Sequence, residues 1–199
     1  MSEILLVTIS GEDRPGLTRT LTGILAEYGV DILDIGQAVI HNTLSLGFLI
    51  HIPADAASAP LLKDILFTAY ELGFTARFTP VSEKDYAAWV SAQGKPRHIV
   101  TLLGRTIGAE DIRQVSEVIA DNGLNIDVIT RLSGRVPLDS APASRRGCVE
   151  LSVRGAPRDP AGMRKSFLSI AGERGIDIAL QEDNVFRRNR RLVAFDMDS

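Results

Sequence analysis

The sequence predicts an α+β protein with two domains in tandem, each a four-stranded antiparallel sheet with two helices on one face. An internal repeat is the first observation, because Leu6–Gly11 (LVTISG) recurs as Ile99–Gly104 (IVTLLG) and Gly29–Ile32 (GVDI) recurs as Gly123–Ile126 (GLNI). A repeat of this length indicates a duplicated domain rather than a solenoid unit. The second observation is the order of apolar patterns, which reads β-α-β-β-α-β in both copies, the ferredoxin-like arrangement.

In the first copy, residues 1–81, the apolar pattern predicts each element. Ile4–Ser10 is apolar on both faces, as a central strand is. A helical stripe from Leu17 predicts a helix that Gly29 ends in a left-handed conformation. Strict alternation over Leu44–Ile52 predicts a hairpin with the preceding strand, closed near residues 42–43. The remaining elements are a helix striped by Leu62, Ile65, Leu66 and Ala69 and a last strand, Thr75–Pro80.

The second copy, residues 97–182, repeats this pattern. A stripe of Ile112, Val115, Val118 and Ile119 predicts its first helix. Asp159 and Pro160 have the residue types of an N-cap and a first helical position, so a second helix should begin there and end at Gly175. Residues 82–96 form a linker in which Tyr86, Trp89 and Val90 suggest a short helix. Residues 183–199 form a polar linker and one further strand.

Composition limits the classes of function. Of 199 residues, 45% are hydrophobic and 24% charged, as in ordinary globular proteins. A net charge of −3 disfavours nucleic-acid and anionic-membrane partners. The single cysteine allows no internal disulfide, and the acidic start does not resemble a signal peptide. These features lead us to expect a cytoplasmic protein.

The loop Gly11–Leu17 (GEDRPGL) is the strongest candidate for ligand binding. Asp13 or a neighbour can cap the helix that follows, Pro15 suits its first turn, and Gly16 lets a ligand approach backbone N–H groups. Free amides at a helix N-terminus attract carboxylates. Asp31, just after the same helix, can accept hydrogen bonds from an ammonium group. The pair predicts a receptor for an amino acid; the alternative is a purely structural cap and turn.

Together, these motifs resemble the ACT domain, a small-molecule sensor of amino-acid metabolism. The resemblance covers residues 3–81 and 97–182, although the second loop lacks the Asp-Arg-Pro-Gly motif. It implies a small amino acid such as L-serine bound at a domain or subunit interface, and a homodimer formed through these domains. The implied ligand-binding residues are Asp13, Arg14, Pro15, Gly16, Leu17, Asp31 and Ile32 in the first copy and Gly108, Asn125 and Ile126 in the second.

The last residues carry a second resemblance. An apolar strand followed by Asp196-Met197-Asp198 resembles the first motif of haloacid-dehalogenase-type phosphatases. With tandem ACT domains it resembles the long form of phosphoserine phosphatase, which hydrolyses O-phospho-L-serine to L-serine in serine biosynthesis. The resemblance implies that Asp196 is the nucleophile, that Asp198 is the general acid/base, and that both serve Mg²⁺. Because the later motifs of that family are absent, we expect these 199 residues alone to be inactive, as the regulatory region of an enzyme whose phosphatase domain is missing.

Two alternatives remain open at this point. One is a free-standing tandem-ACT regulator similar to glycine-cleavage repressor proteins, which acts by contact with a partner. The other is an intact small enzyme. The sequence argues against it, because no nucleophile and base are paired on one element. Four arginines in residues 187–191 are more typical of a solvated linker than of a nucleic-acid site. The arginines of Ser133–Arg146 are more typical of a surface loop than of a contact to the missing domain.

Overall fold

The computed structural model describes residues 2–54, 56, 58–137 and 146–184, and the chain forms two compact units, Met1–Gln93 and Gly94–Ser199. Each unit contains one four-stranded antiparallel sheet, and the first and third strands of the copy are the two central strands of that sheet. The predicted α+β class and the tandem ferredoxin-like arrangement are therefore confirmed. The elements are β1 (Glu3–Glu12), α1 (Leu17–Glu27), β2 (Asp31–Ile40), β3 (Thr43–Ile52), α2 (Ser58–Glu71), β4 (Thr75–Val81), α3 (Glu83–Ala92), β5 (Arg97–Gly104), α4 (Ala109–Asp121), β6 (Asn125–Arg131), β7 (Gly147–Arg154), α5 (Pro160–Arg174) and β8 (Asp177–Glu182).

The first unit is built around β1 and β3, in the strand order β2-β3-β1-β4. The alternation predicted for β3 is confirmed, because every second side chain from Leu44 to Ile52 is buried beneath α1 and α2. On β1, Leu5, Val7 and Ile9 are buried in the same cluster, whereas Leu6 on the opposite face is 38% exposed. This period-two division follows from the pleat of a strand and leaves one face of the sheet free of α1 and α2.

Two local predictions in the first unit need correction. The hairpin turn lies at His41 and Asn42, one residue earlier than predicted, and His41 takes a left-handed φ of 58°. The buried stripe of α2 is Leu61, Ile65 and Ala69, whereas Leu66 is 49% exposed. Both stripes have helical spacing in the sequence, and only packing against the sheet decides which one is buried.

The second unit repeats the first with the strand order β6-β7-β5-β8. The predicted helix limits of α5 are confirmed, since the Asp159 side chain accepts a hydrogen bond from Gly162 N–H and Gly175 ends the helix with a left-handed φ of 64°. Val115 and Ile119 of α4 are buried in the core with Leu102 and Leu151.

The linker helix α3 belongs to the first unit. Ser82 caps it by accepting a hydrogen bond from Asp85 N–H. Tyr86 and Trp89, whose ring centroids lie 6.0 Å apart, share a cleft with Leu6 and Leu49 on the sheet face opposite α1 and α2. None of the helices in the described residues combines the length and apolar character needed to cross a bilayer.

Candidate functional site

The turn between β1 and α1 presents open backbone amides. Gly16 has φ 97° and ψ −14°, the conformation of the third residue of a type II turn. Residues other than glycine adopt this backbone conformation only under strain. A Cβ placed on Gly16 would meet no atom within 4 Å, so the turn borders open space. Within the described residues, the N–H groups of Gly16, Leu17 and Thr18 donate to no protein oxygen. The turn can therefore receive an anionic group at a helix N-terminus.

The neighbouring loop residues do not cap this helix. The prediction that Asp13 or a neighbour provides a side-chain cap is wrong, because the N-cap position is Gly16 and no side chain accepts a hydrogen bond there. Asp13 N–H instead donates to Asn42 O at 2.7 Å, which holds the loop against the hairpin turn. Arg14 forms an exposed ion pair with Glu12 at 3.2 Å. Pro15 precedes Gly16 in the turn, and Leu17 anchors the helix start in the core.

Asp31 and Ile32 lie at the opposite end of the sheet from this turn. Asp31 pairs with His51 at the end of β3, whereas Glu12, which leads into the turn, pairs with Thr43 at its start. The eight residue-to-residue steps from Thr43 to His51 along β3 correspond to roughly 26 Å. The turn and Asp31 of one copy therefore cannot both contact one amino acid. The reason is that α1 carries the chain back along the full length of the sheet before β2 begins.

In the second copy, the corresponding amide is already occupied. Gly108 N–H, expected to be open to a ligand, donates to Asp111 Oδ2 at 2.7 Å, and Arg174 Nε donates to Asp111 Oδ1 at 2.7 Å. Asp111 is only 4% exposed. Burial alone would raise the pKa of this carboxyl, but the hydrogen bonds from Gly108 and Arg174 outweigh it and lower the pKa below its usual value. The N-cap amide of α4 is thus occupied by the protein's own carboxylate.

We expect Asp111→Ala to lower the free energy of unfolding of the second unit by about 2 kcal/mol, from the lost cap and a partly exposed ion pair. The Asp111 contribution is present above the unfolded pKa of about 3.9 and disappears as the pH falls through the lower folded pKa. Urea unfolding from pH 7 to pH 2.5 measures both effects. Glu117→Ala, which removes an exposed ion pair with Arg113, is the control. Equal losses in the two variants would contradict this role.

The start of β6 is also engaged within the second copy. Asn125 Nδ2 donates to Asp127 Oδ1 at 2.7 Å, and Arg154 donates to the same oxygen at 3.0 Å. Ile126, the next residue, pairs with Val153 and packs against the core. The length of β7 separates Asn125 from Gly108. In the first copy, the length of β3 separates Asp31 from Gly16 in the same way. The first copy is therefore the one with an open turn and an exposed carboxylate at the start of β2.

Asp196 and Asp198, predicted as nucleophile, general acid/base and Mg²⁺ ligands, lie outside the described residues. In the part of the chain that is described, no group of three or more histidine, cysteine, aspartate or glutamate side chains is placed to hold a metal ion.

Comparison with known proteins identifies both units. ACT-domain family models match residues 3–79 and residues 96–181. The chain is 30% identical over 196 residues to phosphoserine phosphatase SerB2 of Mycobacterium tuberculosis and 32% identical over 195 residues to phosphoserine phosphatase of Streptomyces coelicolor. Each alignment covers 98% of this chain and 44% of the relative, so the chain spans less than half the length of these relatives.

Two solved structures share the fold of this chain over 92% of its length. A protein from Galdieria sulphuraria has a TM-score of 0.70 at 17% identity, over 92% of this chain and 99% of that one. A putative glycine cleavage system transcriptional repressor has a TM-score of 0.61 at 13% identity, over 92% of this chain and 98% of that one. At these identities the likeness shows the fold alone.

Proposed function

The chain belongs to the ACT-domain family, and on that premise we propose that it is the amino-acid-binding regulatory region of a phosphoserine phosphatase. The observation that carries the proposal is the alignment of 98% of the chain, through both ACT units, with two phosphoserine phosphatases. The open β1–α1 turn of the first copy supports a binding role, because its unpaired amides are suited to a carboxylate.

The geometry of one copy supports the proposal that two copies share the site. The Gly16 turn suits a carboxylate and Asp31 suits an ammonium group, but the two lie roughly 26 Å apart along one sheet. The two charged groups of an α-amino acid are only a few ångströms apart, so one ligand cannot reach both within a copy. We propose that the turn of one chain faces Asp31 of a second chain in a homodimer, which gives two equivalent sites related by a two-fold axis.

The ligand is a small amino acid, for which we name L-serine first. A ligand bound between two chains favours one arrangement of those chains over others, and it can regulate only through that difference in affinity. In such a site the zwitterion would accept from the amides of Gly16 and Leu17 and donate to the carboxylate of Asp31. The sign of the regulation would follow from which arrangement of the phosphatase domain the bound dimer favours.

Thermal unfolding and calorimetry with L-serine, glycine and other small amino acids test the binding function. We expect one of them to raise the melting temperature and to give saturable heat, because a ligand at 100 times its Kd stabilises the native state by about 2.7 kcal/mol. The control is Glu117→Ala, which removes an exposed ion pair with Arg113 on α4 and should leave binding unchanged. If no small amino acid at about 10 mM gives either signal, the binding function fails.

The parent activity is a separate part of the proposal. Asp196 and Asp198 would supply the carboxylates that accept the phosphoryl group, transfer the proton and hold Mg²⁺, a cation that prefers oxygen ligands. Reading the gene beyond codon 199 tests this directly. A continuing frame with downstream lysine and aspartate motifs supports the phosphatase, and an immediate stop codon contradicts it.

The free-standing regulator remains the second candidate. Its support is that the putative glycine cleavage repressor has the same two-unit fold over almost its whole length, although 13% identity carries no more than the fold. A stop codon after Ser199, together with amino-acid binding and no phosphatase activity, would favour this candidate.

A further inference from the structure

Three arginines line one cavity in the second unit. The cavity has a volume of about 360 Å³ and is bounded by Arg105, Arg131 and Arg146, with Thr106, Ile107, Val136, Pro137 and Gly147 completing its lining. The arginines come from three separate segments: Arg105 follows β5, Arg131 ends β6 and Arg146 precedes β7. Because β5, β6 and β7 are paired in register, these three positions meet at one end of the sheet.

The positive charge of this cavity is not compensated by the described residues. None of the three arginines forms an ion pair or hydrogen bond with a described residue, and no described aspartate or glutamate lines the cavity. The carboxylates that begin α4 are already engaged, since Glu110 binds Arg113 and Asp111 binds Arg174. Arg105, Arg131 and Arg146 therefore bring three positive charges to the lining of one cavity, and these charges would attract an anion.

The cluster is specific to the second copy and is not a general property of the fold. Gly11 pairs with Leu44 as Gly104 pairs with Gly147, and this equivalence aligns the two sheets. The first-copy counterparts of Arg105, Arg131 and Arg146 are then Glu12, Gln37 and Thr43. One end of the sheet thus carries one acidic and two neutral residues in the first copy and three arginines in the second.

Packing fixes two of the backbone segments that line the cavity. A Cβ on Gly147 would lie 2.8 Å from Ile107 Cγ1 and 3.2 Å from Ile107 N, so glycine is needed for the loop after β5 to rest on the start of β7. Leu132 N–H donates to Cys148 O at 2.8 Å, and Cys148 N–H donates to Ser133 Oγ at 3.1 Å, which holds the chain just after Arg131. The backbones that carry Arg105 and Arg131 are therefore held in place before any ligand arrives.

We propose that this cavity binds a small phosphate monoester. A phosphate dianion offers three acceptor oxygens, which match several guanidinium forks, and Thr106 adds a hydroxyl donor. The volume exceeds that of inorganic phosphate, and Ile107, Val136 and Pro137 provide an apolar wall for the organic part of the molecule. The site differs in place and chemistry from the amino-acid site proposed for the first copy and does not depend on it.

Calorimetric titration of the purified chain at pH 7.5, above the second phosphate pKa of about 6, tests this site. The probes are glycerol 3-phosphate, inorganic phosphate, glycerol and citrate. We expect saturable binding of glycerol 3-phosphate, weaker binding of inorganic phosphate and no binding of glycerol. Arg131→Gln should weaken glycerol 3-phosphate binding at least tenfold, since it removes a charge-assisted hydrogen bond. Arg164→Gln, an exposed arginine of α5 in the same unit, should change it less than twofold.

Several outcomes would overturn the proposal. These are the absence of saturation by glycerol 3-phosphate at about 10 mM, equal effects of the two substitutions, and tighter binding of citrate or inorganic phosphate than of glycerol 3-phosphate. A melting curve for each variant shows that it is folded. If Arg131→Gln does not fold, Arg105→Gln, on the loop after β5, takes its place with the same expected loss.

Discussion

Replacing Asp31 with alanine will weaken binding of the amino acid by about 10- to 100-fold and leave the fold intact. The size of this loss in affinity follows from the loss of one hydrogen bond between charged groups, which contributes about 1.5–3 kcal/mol. Asp31 is exposed at the start of β2, and the polar contact that its side chain makes with the described residues is with His51 Nδ1 at 3.5 Å, so little native structure depends on this side chain. Calorimetry measures the affinity, and a melting curve verifies the fold.

A mixing experiment tests whether two chains share the site. Asp31→Ala removes the group that binds the ammonium of the ligand, and Gly16→Ala removes the turn that binds its carboxylate. A side chain at φ 97° costs about 1–2 kcal/mol and forces the turn and its amides into another conformation. In dimers that contain one chain of each variant, one site has both native groups and the other has neither. After subunit exchange, about a quarter of all sites should bind again. If the mixture binds no better than either variant, the two halves do not come from different chains.

Replacing Phe48 with alanine will lower the free energy of unfolding of the first unit by about 4 kcal/mol, the largest effect on stability that we predict. Phe48 on β3 is 1% exposed and belongs to the core cluster of the first unit with Val7, Leu21 and Ile65. Its removal leaves a cavity that the surrounding strands and helices cannot fully close. Urea unfolding followed by Trp89 fluorescence measures the loss, because the single tryptophan of the chain lies in α3 of this unit.

Leu151→Ala is the matched control. Leu151 occupies the equivalent position on β7, is buried in the second core cluster and contributes nothing to the first. We expect this variant to shift the unfolding seen by circular dichroism and to leave the Trp89 transition where it was. If Leu151→Ala shifts the Trp89 transition as much as Phe48→Ala does, the two units do not unfold independently.

Local sequence patterns were sufficient for the elements and their ends. The strict alternation of β3 was enough to identify its buried face, because a strand has only two faces and one must lie under the helices. The Asp159 cap and the left-handed Gly175 of α5 follow from the residue types that satisfy helix ends. The buried stripe of α2 was harder, since Leu61 and Leu62 both have helical spacing with Ile65.

The candidate site was only partly predictable for a different reason. Gly16 is close to Asp31 in sequence, but the helix between them runs the length of the sheet, so the strand register places the two at opposite ends. Asp111 was not predicted as a buried residue, because its partner Arg174 is 63 positions away and no local pattern joins them. The abundance of arginine in Ser133–Arg146 was visible, but its meeting with Arg105 and Arg131 was not.

The sequence by itself determined the duplication, the order of strands and helices and the ACT family, since these depend on patterns within about ten to twenty consecutive residues. Tertiary structure alone decided which groups meet. It leaves the amides at Gly16 open, closes the equivalent amide at Gly108 with Asp111, and gathers three arginines at one end of the second sheet. These outcomes depend on strand register and helix packing, which bring together residues that are far apart along the chain.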